Sequence, residues 1–91
     1  MKISFQDGSL VDYWDGFNFY HKISPHLSQK FYLDFWDSIA KIKANPKQYQ
    51  ERYRQIRIAF LNRFPFGIHY LLKDDRIIVL KILHTSRFLK I

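Results

Sequence analysis

Ninety-one residues with 15 Lys and Arg against 8 Asp and Glu, 47% hydrophobic and without cysteine, describe one small basic globular domain over 1–91. The hydrophobic share excludes a disordered chain, and the lack of cysteine excludes disulfide staples, thiolate nucleophiles and thiolate metal sites. No apolar run approaches the roughly 20 residues of a membrane span, and Met1-Lys2-Ile3-Ser4-Phe5 meets Gln6 and Asp7 with no signal-peptide core, so a cytoplasmic protein without membrane contact is expected.

Lys2-Ile3-Ser4-Phe5 predicts a short first strand. Leu10, Tyr13, Trp14, Phe17 and Tyr20 recur at three- and four-residue steps, which predicts a helix from about Ser9 to Lys22 with these residues as its buried stripe. Ser24-Pro25 reads as the N-cap and first-turn proline of a second helix. Its buried stripe is Leu27, Phe31, Phe35, Ile39 and Ile42, and Lys30, Asp34, Asp37, Lys41 and Lys43 are left for the solvent side. Asn45-Pro46 ends it near Ala44, so the two helices form an antiparallel hairpin.

Past Glu51 the period becomes two. In 54–61, Ile56, Ile58 and Phe60 share the buried face and Arg57 the wet one. Pro65 closes that strand; 66–72 is the next, Lys73-Asp74-Asp75-Arg76 a polar turn, and 77–83 a strand apolar on both faces. The expected fold is α+β, in the order β-α-α-β-β-β, with the helical hairpin packed on a small antiparallel sheet.

Charge divides sharply along the chain. Residues 1–51 carry six lysines and six acids, whereas Arg52, Arg54, Arg57, Arg63, Lys73, Arg76, Lys81, Arg87 and Lys90 face only Asp74 and Asp75, so the second half holds the whole net charge of +7. That field favours RNA, DNA or an acidic protein segment and does not choose among them. His21 and His26 bracket the link between the helices, with neither cysteine nor a carboxylate pair beside them, so no metal and no other cofactor is expected.

Arg63-Phe64-Pro65-Phe66-Gly67-Ile68-His69-Tyr70, then Ile77-Ile78-Val79-Leu80-Lys81-Ile82, then His84-Thr85-Ser86-Arg87, resembles the C-terminal half of the RelE/ParE superfamily of toxins from type II toxin-antitoxin systems. Asp12, Tyr20, the Pro25-to-Ala44 helix and Asn45-Pro46 fit the helical hairpin of that family, so the resemblance covers nearly the whole chain. It implies a toxin that arrests growth by inhibiting DNA gyrase and is neutralised, in a hetero-oligomer, by a cognate acidic antitoxin. RelE-like relatives are ribosome-dependent messenger endoribonucleases. They carry an arginine where Gly67 stands here and a C-terminal tyrosine that does not follow Arg87, so the ParE-like reading is favoured. ParE-like members also continue past this point, and a shortened C-terminal segment is the expectation for Phe88-Leu89-Lys90-Ile91.

A ribonuclease would need cations on the scissile phosphate and a proton acceptor for the 2′-hydroxyl, for which His84 and Arg87, at the end of the apolar strand, are the candidates. For contact with target or antitoxin the candidates are Arg54, Arg57, Arg63 and His69, together with Tyr32 and Trp36. The last two lie four apart and off the main stripe of the second helix, where a partner could cover them. His69 and Tyr70 point to opposite faces of one strand, and Tyr70 belongs with Phe66, Ile68 and Leu72 in the core. The alternatives to a toxin are a non-catalytic nucleic-acid-binding module and an inert remnant that only binds an antitoxin.

Overall fold

The computed structural model describes residues 1–88, with side chains as far as Ser86. The chain runs β1 (Lys2–Phe5), α1 (Asp7–Ile23), α2 (Pro25–Ala44), β2 (Glu51–Tyr53), β3 (Ile56–Phe60), β4 (Phe66–Lys73), β5 (Arg76–His84) and α3 (Thr85–Phe88). The five strands form one sheet in the order β1-β5-β4-β3-β2. The expected α+β hairpin-on-sheet architecture is present. The sheet is mixed rather than antiparallel, because β1 enters beside β5 in the parallel sense, and β2 is a further strand in a segment too short and polar to show an alternating pattern.

Local chemistry sets the helix ends. The Ser24 side chain accepts from the Leu27 N–H, and Pro25 occupies the first turn of α2, where its missing N–H costs nothing. Asn45 ends α2 one residue before Pro46.

The face of α1 is partly the expected one: Tyr13 is buried and Phe17 and Tyr20 pack half-buried against the core, whereas Leu10 and Trp14 are exposed and Ser9 and Gly16 complete the buried line. The reason is close approach: a Cβ on Gly16 would lie 2.9 Å from Cζ of Phe31, which is itself fully buried on α2. Small residues let α1 settle against α2, and the large ones flank the seam.

In α2 the buried stripe holds Phe31, Phe35, Ile39 and Ile42 as expected, with Leu27 half-buried, and it also takes in Asp34.

The core lies between the hairpin and one face of the sheet, where Tyr13, Phe31, Phe35, Ile39 and Ile42 meet Ala59, Leu61, Ile68, Tyr70, Ile77, Val79 and Ile82. In β3, Ile56 and Ile58 are buried as expected, but on the face turned away from the hairpin, where Phe60 is exposed; Ala59 is the residue beneath the helices, and half-buried Arg57 shares its side.

A bulge explains how β5 fills the core from both parities. Tyr70 pairs with Val79 but His69 pairs with Lys81, which leaves Leu80 as an extra residue. Core-facing side chains therefore switch from Ile77 and Val79 to Ile82.

Candidate functional site

The loop 61–65 is held from below by one carboxylate. Asp34 of α2 is buried, and its Oδ1 accepts the Asn62 N–H at 3.2 Å while its Oδ2 accepts those of Arg63 at 2.8 Å and Phe64 at 3.1 Å. The sequence reading placed Asp34 on the solvent side, and that is corrected. The signal was available, since Asp34 falls in step with Phe31, Ser38 and Ile42 on the inner stripe. Asp34 fixes where Arg63 stands, and a surface groove brings Arg63 together with Lys30, Leu33 and Trp36.

Trp36 is the hinge between this groove and an apolar notch. Its ring packs 5.8 Å from Phe5, 6.0 Å from Tyr13 and 4.9 Å from Phe35, yet it remains 39% exposed, and Tyr32 beside it is 48% exposed. The notch, about 210 Å³, opens between Leu10, Trp14 and Trp36. Burial pushes the Tyr13 hydroxyl above its ordinary value, opposed by the Trp36 indole N–H. Exposed tryptophan, leucine and tyrosine converge here from both helices, a feature of surfaces that a partner covers.

At the other end of α1, a cleft of about 360 Å³ lies between Asp12, Asp15 and Tyr20 on the helix and Phe66, Ile82 and His84 on the sheet. β1 stops pairing with β5 at Val79, and beyond it the Asp12 carboxylate takes over, accepting the Ile82 N–H at 2.9 Å. His84 packs against Phe66, and its Nδ1 accepts the Ser86 N–H at 3.1 Å with the Ser86 hydroxyl at 2.8 Å. In the neutral ring the proton then sits on Nε2. The Arg87 side chain, its proposed companion, lies outside the described residues.

The remaining candidates separate. His69 is 1% exposed on the face away from the helices, its Nδ1 2.8 Å from the Tyr53 hydroxyl; burial, with the nearby Lys81 charge, lowers it to about 4. The fold thus withdraws His69, expected as a contact residue, from the surface, between its cross-strand neighbours Ile58 and Lys81. Tyr70 is in the core as expected. Its hydroxyl donates to the Pro46 carbonyl at 2.6 Å, and burial raises it to about 12.

Arg57 is committed to its own chain, donating to the Tyr49 carbonyl at 2.6 Å and pairing with Glu51 at 3.3 Å. Arg54 is exposed in the β2–β3 turn.

Among the described residues, no arginine or lysine lines the cleft to which His84 opens. His84 opens toward α1, whereas Arg52, Arg54 and Lys81 lie at the hairpin or on the opposite face of the sheet. Gly67 has no room for the arginine of RelE-like enzymes, since even a Cβ there would be 2.8 Å from Cγ2 of Ile58. No group of three metal-ligating side chains occurs among the described residues, and no described helix is long and apolar enough to cross a membrane.

The relation of the chain to known proteins is structural. No protein-family model matches the chain, and no curated protein matches it in sequence. A chain of the solved structure "Chromosomal ParDE TA system from P. aeruginosa" superposes with a TM-score of 0.81 at 20% identity, over 92% of this chain and 95% of that one. The two share their fold.

Proposed function

We propose that this chain is the toxin subunit of a type II toxin-antitoxin pair, ParE-like in lineage, that arrests growth by binding and inhibiting DNA gyrase until an acidic antitoxin covers it. The observation that carries the reading is the shared fold with a chain of a ParDE system over nearly the whole length. It agrees with the ordered Phe64-Pro65-Phe66, Tyr70 and His84-to-Arg87 pattern in the sequence. Inhibition by binding suits a molecule in which, among the described residues, no cation lines the His84 cleft. Antitoxin docking suits the helical side, where Tyr32, Leu33 and Trp36 offer apolar anchors beside Lys30 and Arg63, which favour an acidic segment that orders on binding.

The test is induction of the chain in a bacterial host, followed by supercoiling and translation assays with purified protein. Loss of viability, rescue by an acidic partner encoded beside it, and loss of gyrase supercoiling with messages left intact are expected. Ribosome-dependent cleavage within codons, read by primer extension, would overturn the gyrase reading in favour of a ribonuclease.

A further inference from the structure

The sheet has a second face, and the toxin reading gives it no task. Among the described residues no helix packs on it. Strand alternation places Lys2, Lys73 and Arg76 side by side at one end, as cross-strand partners, and Lys81 near the middle. Along the opposite edge a bulge in β2, where Glu51 pairs with Arg57 but Tyr53 with Ile56, re-aims Arg52 so that its guanidinium lies 5.7 Å over the exposed Phe60 ring. Lys81 lies 5.8 Å over the Tyr53 ring. Arg54 completes the set at the hairpin tip, held with Gln55 in the left-handed region at φ 47° and 67°, where side chains bearing a Cβ are strained. The nearest acids are Glu51, already paired with Arg57, and Asp74 and Asp75 in the β4–β5 turn.

We propose that this open face binds single-stranded nucleic acid, with the β2–β3 hairpin gripping phosphates and Phe60 offering a ring to a base. Three features favour this occupant over an acidic polypeptide. A docked helix needs a groove, and the clefts described above lie on the helical side. An added strand needs a regular edge, and the bulge at Arg52 interrupts the ladder of the edge strand β2. Cations stacked on aromatic rings are the ordinary furniture of sites that follow a nucleic-acid backbone without reading sequence. Four strand spacings of about 4.8 Å give a path of about 19 Å, suited to the shortest single-strand sites of about 4 nucleotides.

The test is fluorescence anisotropy of labelled 12-nucleotide oligo-dT and oligo-U with the full chain at 50 and 200 mM salt. With four phosphates engaged, the fourfold rise in salt weakens binding by about 50-fold. Joint Arg52→Glu and Arg54→Glu substitution should weaken binding at least tenfold and flatten that salt dependence. Phe60→Ala should cost about tenfold with the salt dependence unchanged. Joint Lys30→Glu and Arg63→Glu, on the helical side, should change affinity less than threefold. Thermal melts of each variant establish that it is folded, and Lys73→Glu with Arg76→Glu serves as a second pair should the hairpin variants unfold. Absence of binding at 50 mM salt, or equal losses from the helical-side pair, would overturn the proposal. So would full displacement by polyglutamate together with indifference to Phe60→Ala, which would assign the face to an acidic polypeptide. None of these readings involves gyrase or an antitoxin, so failure here leaves the toxin reading standing.

Discussion

Asp34→Ala removes the single acceptor that three consecutive backbone N–H groups share, at 3.2, 2.8 and 3.1 Å. Hydrogen bonds to a charged acceptor contribute about 1.5–3 kcal/mol each, and the three would sum to well over 4 kcal/mol if they were independent. They are not. Asn62 and Arg63 are exposed, so water can reach their N–H groups once the carboxylate is gone, whereas Phe64 is half-buried and packs on Tyr20 and Phe31. The expected net loss is therefore about 3 kcal/mol. For a domain of this size, whose total stability is on the order of 5–10 kcal/mol, that corresponds to a fall in Tm of about 12–20 °C. Asp34→Asn keeps one acceptor oxygen and turns a donor toward the remaining N–H groups, and should lose about half as much. Urea unfolding followed by tryptophan fluorescence and circular dichroism measures both. A loss below 1 kcal/mol for Asp34→Ala would mean that water replaces the carboxylate without penalty, and the account of how the Arg63 loop is positioned would fail.

His69 gives a pH dependence with a definite sign. Its folded-state value of about 4 lies below the ordinary 6.5, so the stability tied to its neutral form is complete above about pH 6.5 and is lost as pH falls towards 4. The loss is about 3 kcal/mol, and urea midpoints against pH for the native chain and His69→Gln should diverge across that window. Gly67→Ala should destabilise by about 1–3 kcal/mol in thermal melts, because its Cβ would meet Cγ2 of Ile58, and a loss below about 0.5 kcal/mol would mean that β3 gives way without cost. Joint Arg54→Asn and Gln55→Gly substitution should stabilise the fold by about 1–2 kcal/mol, since both residues hold positive φ in a two-residue hairpin turn that favours Asn-Gly; an unchanged or lower urea midpoint would argue against strain there.

The parts of the fold legible in the sequence are those where period and punctuation agree. Ser24-Pro25 and Asn45-Pro46 bracket α2, and the apolar runs of β4 and β5 flank an unmistakable turn. What was hidden follows from size and geometry rather than polarity. In α1 the heaviest hydrophobic residues suggest a stripe through Leu10 and Trp14, but the seam selects Ser9 and Gly16 because α2 comes so close. In β5 every residue from Ile77 to Leu80 is apolar, so a bulge that flips the parity leaves no trace in the pattern. β3 carries apolar residues on both faces, and only its neighbours decide which one lies under the helices. For the candidate site, exposure of Tyr32 and Trp36 was readable from their phase on α2, while burial of His69 depended on Tyr53 and Lys81, distant in sequence.

The division of chemistry between the two sides of the sheet bears directly on mechanism. His84, the candidate imidazole, opens to a cleft it shares with Asp12 and Asp15, carboxylates that would repel a phosphodiester. The imidazole on the basic face, His69, is buried, hydrogen-bonded to Tyr53, and lowered to about 4, far from the near-neutral value that makes an efficient general base. Among the described residues, the His84 cleft and the cations of the far face are separated by Ile68, Tyr70 and Val79, all fully buried. The helical side suits an acidic segment on apolar anchors, the open face suits a phosphate backbone, and both could be occupied at once because no residue serves both surfaces.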